Sequence, residues 1–218
     1  MQFQDRTHAG RLLAGKLERY RDNPDVIVLA LPRGGVPVAF EVAKALNAQL
    51  DVFIVRKLGV PGHEEYAMGA IASGGVRVMN PDVAGMRLPE SAIEAVAARE
   101  YKELERRERL YRGDRSPLEL AGRIVILVDD GLATGSTMRA AAIAVKRQKP
   151  ARSVVAVPVA APDTCEQFRA EVDEVVCAIT PEPFRAVGLW YENFSQTTDD
   201  EVHALLAAAG MPARSRTV

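Results

Sequence analysis

The sequence predicts an α/β fold with a doubly wound, mainly parallel sheet of five strands and helices on both faces. Short apolar runs recur along the chain, and none of them alternates apolar with polar residues. Strands of this kind are buried on both faces, which is typical of a parallel sheet between two layers of helices. The runs are 26–31, 52–55, 124–128, 154–157 and 175–179.

Helices are predicted before, between and after these strands. The segments between the strands have helical spacing of apolar residues, so right-handed crossovers should connect parallel neighbours. A helix before the first strand has Thr7 as its predicted cap and an apolar stripe from Ala9 to Tyr20. The other predicted helices are 36–47, 136–149, 163–172 and 202–209.

The segment 58–118 interrupts the alternation of strands and helices. We interpret 1–57 and 119–218 as the core, with the C-terminal part as a candidate hood, and 58–118 as an insertion. The insertion is predicted to hold a flexible loop, short strands near 68–72 and 76–79, and a long charged helix from about Pro89. That helix is expected to be solvated on one face, and a homodimer contact or an RNA surface is the alternative.

Composition excludes several classes of protein. The 218 residues fit one domain, or one domain with an insertion, and the net charge of −1 argues against binding nucleic acid by bulk electrostatics. No apolar run is long enough for a membrane span, and the N-terminus lacks the apolar region of a signal peptide, so a cytoplasmic protein is expected. Cys165 and Cys177 are expected to be buried free thiols, because their spacing fits neither a metal site nor a disulfide scaffold.

A polar motif directly follows the run 124–128. Two acids, Asp129 and Asp130, come first, and a turn of small and hydroxyl residues leads into the next predicted helix. Gly131 and Gly135 allow the backbone N–H groups of the turn to converge on an anion, and the helix N-terminus adds further donors. The turn lacks the lysine of a P-loop, which favours a terminal monophosphate. The predicted phosphate-binding residues are Gly131, Leu132, Ala133, Thr134, Gly135, Ser136 and Thr137.

The two acids suit a different part of the ligand. Carboxylates accept hydrogen bonds from hydroxyl groups and hold hydrated Mg²⁺, whereas they repel phosphate. A ligand with neighbouring hydroxyls beside a phosphate would satisfy both halves of the motif. Ribose 5-phosphate has that shape.

The run 125–137 resembles the signature of the type I phosphoribosyltransferases, which bind 5-phosphoribosyl-1-pyrophosphate (PRPP). In that signature, apolar residues precede two acids, four variable positions and a Thr-Gly turn. Arg33, Gly34 and Gly35 follow the first strand and resemble the family's pyrophosphate loop, which often holds a cis peptide bond that does not involve proline nitrogen. Arg56 and Lys57 stand where the family has its flexible catalytic loop.

The resemblance implies an Mg²⁺-dependent transferase of nucleotide metabolism, which moves the 5-phosphoribosyl group of PRPP to a nitrogen acceptor and releases pyrophosphate. Asp129 and Asp130 would bind ribose and the metal, directly or through water, and Lys57 would join them in catalysis. Arg33, Arg56 and the amides of Gly34 and Gly35 would bind pyrophosphate. Trp190 and Tyr191 would either stack on the base or simply pack the C-terminal segment.

One residue departs from the best-known members of the family. Enzymes that act on 6-oxopurines carry an acid immediately before the Thr-Gly turn, and this chain has Ala133 there. The sequence therefore identifies neither a general base nor an acceptor. Two alternatives stay open: a PRPP- or nucleotide-binding regulatory module without transfer activity, and a hydrolase or kinase that holds a phosphorylated sugar in the same turn.

Overall fold

The computed structural model describes residues 2–80, 88–113 and 115–210. In these ranges the chain forms a five-stranded sheet and a separate three-stranded sheet. The strands are β1 (Val26–Ala30), β2 (Gln49–Val52), β3 (Val55–Val60), β4 (His63–Ala72), β5 (Val76–Met79), β6 (Ile124–Val128), β7 (Arg152–Val159) and β8 (Glu174–Ile179). The helices are α1 (Arg6–Lys16), α2 (Gly35–Leu46), α3 (Glu90–Arg112), α4 (Ser136–Arg147), α5 (Pro162–Phe168) and α6 (Asp199–Ala209).

The large sheet is parallel throughout, with strand order β2-β1-β6-β7-β8. Alternate residues of its strands enter two apolar clusters on opposite faces. In β1, Val26 and Val28 belong to the cluster that contains α1, α2 and α6, whereas Ile27 and Leu29 belong to the cluster that contains α4 and α5. The predicted doubly wound sheet with helices on both faces is therefore confirmed.

The second predicted strand, 52–55, is wrong in position. β2 ends at Val52, and Val55 begins β3 of the small sheet, so the apolar run lies across the boundary between two strands. β2 forms one edge of the large sheet and carries the buried acid Asp51, which Arg112 of α3 contacts at 3.1 Å. An edge strand with an ion-paired acid breaks the apolar pattern on which the prediction depended.

The small sheet is antiparallel, with strand order β3-β4-β5, and it packs against both α3 and α4. The short strands predicted near 68–72 and 76–79 are confirmed as parts of β4 and β5. Arg56 and Lys57 lie in β3, paired with Ile71 and Ala70 of β4, and not in a loop. The division into a core and an insertion at 58–118 stays a prediction.

Two local predictions are corrected. Cys165 of α5 and Cys177 of β8 form a disulfide, with 6.7 Å between their Cα atoms, and are not free thiols. Helix α5 packs against β8, which brings together two cysteines whose sequence spacing alone gave no signal. The cap of α1 is Asp5, whose carboxylate accepts a hydrogen bond from the His8 N–H, and not Thr7.

Within the described ranges, no helix combines the length and the apolar character that a bilayer crossing requires.

Candidate functional site

The two acids lie at the carboxyl edge of the large sheet, directly after β6. Both side chains are half-buried, and Asp129 Oδ1 accepts a hydrogen bond from the Asp130 N–H at 2.8 Å. Burial, together with the nearby charge of Asp130, raises the pKa of the Asp129 carboxyl well above its ordinary value. Burial also raises the pKa of Asp130, although the positive charge of Arg6 opposes that effect. Ligands of open α/β sheets bind at this edge.

Arg6 contacts the second acid, and the sequence interpretation did not include it. Its Nε and Nη2 atoms both lie 2.9 Å from Asp130 Oδ2. Its Nη1 atom donates to the carbonyl of Ser195 at 2.6 Å, and its guanidinium carbon lies 4.0 Å from the centre of the Phe194 ring. The pair joins residues 124 positions apart in the chain, so no local motif could have indicated it.

The turn after the acids is open on one side and packed on the other. Ala133, Thr134 and Ser136 are exposed, whereas Gly135 is buried and has the left-handed φ of +69° that favours glycine. A Cβ atom at Gly135 would lie 2.6 Å from the Phe168 ring of α5, so only glycine fits there. Helix α4 begins at Ser136, and its first N–H groups have no acceptor within the helix.

Helix α5 supports this turn through a residue that the sequence interpretation also missed. The buried Thr164 hydroxyl donates to the Ala133 carbonyl at 2.6 Å. The N–H of Leu132 donates to Val159 of β7 at 2.9 Å. The backbone of the turn is thus fixed from behind, which leaves its exposed hydroxyl groups free to meet a ligand.

The loop after β1 lies directly against the acids. The peptide bond between Pro32 and Arg33 is cis, as the family resemblance implied. A Cβ atom at Gly34 would lie 2.1 Å from Asp130 Oδ2, and one at Gly35 would lie 2.7 Å from the carbonyl of Val128. The two glycines therefore allow a close approach that no larger residue permits. The structure brings Arg33, Gly34 and Gly35 together with the acid pair at one edge of the sheet.

Arg33 has a distant acidic partner at the start of α6. Its Nη1 atom lies 3.8 Å from Asp199 Oδ1, and both side chains are substantially exposed. The hydroxyl of Tyr111 in α3 donates to the same Asp199 oxygen at 2.5 Å. Burial, together with this carboxylate, raises the pKa of Tyr111 to about 12. Asp199 is thus held by Tyr111, while its contact with Arg33 is long and open to solvent.

The two basic residues of β3 differ in their surroundings. Arg56 donates two hydrogen bonds to Glu100 Oε2 of α3, at 2.6 and 3.0 Å, and Glu100 is buried. Lys57 is exposed. Arg56 therefore links the small sheet to α3. Lys57 is the more exposed residue of the predicted pair.

The two predicted base-binding aromatics pack mainly against the protein. Tyr191 is 4% exposed, its ring lies between Phe3 and Phe194, and its hydroxyl donates to the Asp130 carbonyl at 2.6 Å. Burial raises the pKa of this hydroxyl above its ordinary value. Trp190 is half-buried, and its indole N–H is buried without a hydrogen-bond partner in the described residues. Tyr191 thus supports the backbone of the acid pair from beneath.

The segment around these aromatics is joined to the N-terminal segment of the chain. The N–H of Phe3 donates to Trp190, and the N–H groups of Glu192 and Asn193 donate to Phe3 and Gln4. The exposed apolar side chains nearest in sequence to Trp190 and Tyr191 are Leu189 and Phe194. These two side chains are accessible to a planar ligand, whereas Tyr191 is not.

An open cavity of about 1080 Å³ lies elsewhere, between the C-terminal ends of α2, α3 and α6. It borders Gln49 at the start of β2 and Arg123 just before β6, so it lies at the amino edge of the sheet, opposite the acids. Arg112 and Asp51, which also line it, are ion-paired with each other. We assign the functional site to the carboxyl edge, because the polar motifs converge there.

Comparison with known proteins agrees with this geometry. The family model described as "Phosphoribosyl transferase domain" matches residues 3–192. Curated proteins from two strains of Mycobacterium tuberculosis, whose names describe them provisionally as phosphoribosyl transferases, are 50% identical over 208 residues, or 95% of this chain. The chain spans about half of their length, 47%. The crystal structure of TT1426 from Thermus thermophilus is 46% identical, with a TM-score of 0.84 over 95% of this chain and 99% of that one.

Proposed function

The chain belongs to the phosphoribosyl transferase domain family, and on that basis we propose that it transfers the 5-phosphoribosyl group of PRPP to a nitrogen acceptor, with release of pyrophosphate. One observation carries the proposal. The acid pair, the open turn before α4 and the Gly34 loop meet at the carboxyl edge of the sheet, with Gly34 in direct contact with Asp130. PRPP has a ribose between two phosphate groups, and this site has acids between two glycine-containing loops.

The turn suits the 5′-phosphate. Backbone N–H groups of Gly131 and residues 133–137, the positive end of α4 and the hydroxyls of Thr134, Ser136 and Thr137 supply donors for a phosphate dianion. Ala133, Thr134 and Ser136 are exposed, so the phosphate could reach the turn without rearrangement of the fold. Leu132 is buried and its N–H donates to Val159, so this residue supports the turn and the predicted contact with phosphate is not favoured.

The loop after β1 suits the pyrophosphate. In this proposal the amide of Gly34 and the guanidinium of Arg33 bind it, because Arg33 can exchange its long contact with Asp199 for a phosphate oxygen. The N–H of Gly35 already donates to the Leu31 carbonyl at 3.1 Å, so the predicted contact from Gly35 is not favoured. Lys57 is the predicted second cation. The pairing of Arg56 with the buried Glu100 favours a structural role for Arg56 over the predicted contact with pyrophosphate.

Mg²⁺ fits the donor set when the substrate supplies the remaining oxygens. No group of three or more His, Cys, Asp or Glu side chains in the described part of the chain could hold a metal alone. Mg²⁺ commonly takes one or two carboxylates together with phosphate oxygens and water. Asp129 and Asp130 would hold it here, and a bound Mg²⁺ would neutralise charge on the departing pyrophosphate.

The residues of the chain would contribute mainly by binding and orientation. Transfer at the anomeric carbon passes through a state with positive character on the ribose, so fixed carboxylates beside the sugar stabilise it. Ala133 cannot accept a proton, and the acceptor must therefore lose its proton to another group or react as an already nucleophilic nitrogen. This leaves the acceptor class open.

Pyrophosphate release tests the proposal. The protein is incubated with PRPP, Mg²⁺ and a panel of nucleobases and amines, and pyrophosphate is measured by a coupled assay. Release that depends on one acceptor is expected, and the Asp129→Asn variant should abolish it. Tight binding of PRPP with no release under any acceptor would contradict transfer activity.

A PRPP-binding regulatory module is the second candidate function. Two observations favour it: Ala133 replaces the acid of the 6-oxopurine enzymes, and Arg6 already occupies one oxygen of Asp130. Such a module would bind PRPP at the same residues without turnover, so the pyrophosphate assay separates the two functions.

A further inference from the structure

Arg6 lies at the point where the three parts of the candidate site meet. Its guanidinium contacts Asp130 through two nitrogen atoms, both at 2.9 Å. A Cβ atom at Gly34 would lie 3.4 Å from Arg6 Nε, so the guanidinium also borders the loop assigned to pyrophosphate. Only 12% of the Arg6 side chain is exposed. A cation this enclosed beside the acids is a structural part of the site.

The backbone that carries Arg6 is firmly held. Arg6 is the first residue of α1, and the carboxylate of Asp5 caps this helix through the His8 N–H at 2.7 Å. Further along α1, Gly10 lets the helix pack closely on α2, because a Cβ atom there would lie 2.7 Å from the Val38 carbonyl. A side chain on a rigid element can fix the geometry of another side chain.

The contacts of Arg6 also determine which part of Asp130 is free. Both contacts from Arg6 end on Oδ2, and within the described ranges no side chain of another residue donates to Oδ1. The third guanidinium nitrogen, Nη1, donates to the Ser195 carbonyl, and the Phe194 ring lies against the guanidinium plane at 4.0 Å. Arg6 therefore cannot turn away from Asp130 without losing two other contacts.

We propose that Arg6 is a positioning residue of the ribose subsite, which holds Oδ2 of Asp130 so that Oδ1 is presented to a ribose hydroxyl of PRPP. The inference rests on the proposed function. Arg6 acts through Asp130, and its bond to Ser195 couples the orientation of the acid to the C-terminal segment. An alternative role for Arg6, a block that a ligand must displace, predicts the opposite effect of its removal.

Affinity for PRPP in the presence of Mg²⁺, measured by isothermal titration calorimetry, distinguishes these roles. We expect Arg6→Ala to weaken binding about 10-fold or more, because loss of a charged hydrogen-bonding partner in a partly buried site has an effect of that order. Arg6→Lys should restore part of the affinity, because lysine keeps the charge but cannot contact both Asp130 and the Ser195 carbonyl.

Two further variants test whether Arg6 acts through Asp130 and whether the loss of any arginine on α1 has the same effect. In an Asp130→Asn background, Arg6→Ala should change the affinity by less than about 3-fold, because the partner through which Arg6 acts has lost its charge. Arg11→Ala is the matched control. Arg11 lies on the same helix and is paired with Glu41 at 3.0 Å, but its side chain is 66% exposed. Its loss should leave the affinity within about 2-fold of the wild type.

Each outcome decides one question. Failure of the wild-type protein to bind PRPP would overturn the proposed function and this inference with it. If the wild type binds and Arg6→Ala binds equally well or more tightly, only the role of Arg6 is overturned. Additive effects of Arg6→Ala and Asp130→Asn would also overturn it. Should Arg6→Ala fail to fold, the Arg6→Lys variant and its Asp130→Asn double variant supply the same comparison.

Discussion

Gly34 lies so close to Asp130 that a Cβ atom at residue 34 would be 2.1 Å from Asp130 Oδ2. The two residues come from different βα connections, the loop after β1 and the edge of β6, which are adjacent parallel strands. Two motifs that are far apart in sequence therefore form one continuous surface, and a substitution in one of them should alter the other.

The Gly34→Ala variant tests this contact. Gly34 has φ of −59° and ψ of −31°, which alanine adopts readily, so the effect of the substitution must come from the clash with the carboxylate. We expect Asp130 to be displaced, affinity for PRPP to fall about 10-fold or more, and the free energy of unfolding to fall by about 1–3 kcal/mol. Binding is measured by calorimetry, and unfolding by circular dichroism.

Gly15→Ala is the control for that variant. Gly15 lies in α1, and a Cβ atom there would meet nothing within 4 Å. This substitution should raise stability by about 0.5–1 kcal/mol through helix propensity and leave PRPP binding unchanged. Equal binding by Gly34→Ala and Gly15→Ala would argue that Asp130 does not contact the ligand.

Asp129→Asn should stabilise the folded protein while it removes function. Burial raises the pKa of Asp129 in the folded state, so ionisation of this carboxyl costs folding free energy. A carboxyl whose pKa is raised by folding stabilises the folded state fully at a pH below its unfolded-state pKa, which is about 3.9. This stabilisation is lost as the pH rises through the folded-state pKa. Asparagine can still accept the bond from the Asp130 N–H, and it carries no charge.

The difference in unfolding free energy between Asp129→Asn and the wild type should therefore be near zero at about pH 4. It should increase as the pH rises above the unfolded-state pKa and favour the variant throughout that range. Urea titrations at a series of pH values measure it. A variant that is less stable than the wild type at the upper end of this range would show that the ionised carboxyl stabilises the fold.

Thr164→Val should weaken PRPP binding although Thr164 lies behind the turn. Its hydroxyl holds the Ala133 carbonyl at 2.6 Å, and valine keeps the shape without the donor. Loss of this bond should cost about 1 kcal/mol of stability and should lower PRPP affinity by about 5-fold, because the turn is less fixed.

Ser153→Ala is the matched control for Thr164→Val. Ser153 is buried near the start of β7, and its hydroxyl donates to Asp173 Oδ2 at 2.7 Å. Its removal should lower stability by a similar amount without changing affinity, since this bond lies at the opposite edge of the sheet. The same loss of affinity in both variants would mean that affinity follows global stability and not the turn.

The disulfide predicts a response to reductant. Closure of a loop by a bond between Cys165 and Cys177, 12 positions apart, should stabilise the protein by about 2–4 kcal/mol. Reduction should lower the free energy of unfolding by that amount in the wild type and leave a Cys165→Ala/Cys177→Ala double variant unaffected. Two titratable thiols in the unreduced, denatured protein would contradict the pairing.

The sequence predicted the parts of the molecule that local patterns encode. The motif from Asp129 to Thr137 is continuous, so its strand, acids and turn are visible without the fold. The central strands β1, β6 and β7 are apolar because both of their faces are covered. Long-range contacts were not visible: Arg6 meets Asp130 across 124 positions, and nothing in the local sequence of Thr164 indicates its contact with the turn.

The remaining incorrect or incomplete predictions also have specific physical causes. β2 is an edge strand whose Asp51 is neutralised by Arg112, and a rule that seeks apolar runs cannot find it. The aromatic residues of the C-terminal segment were predicted either to stack on the base or to pack that segment, because sequence does not reveal the direction of a ring. Tyr191 lies beneath Asp130, and Phe194 lies against Arg6.

The central claim is that PRPP binds between the acid pair and the turn at the carboxyl edge of the sheet. A crystal structure of the protein with PRPP and Mg²⁺ tests it most directly. We predict the 5′-phosphate at the N–H groups of residues 134–137 and the ribose hydroxyls at Asp129 and Asp130. PRPP bound instead in the cavity at the amino edge, beside Arg123, with the turn empty, would contradict the account.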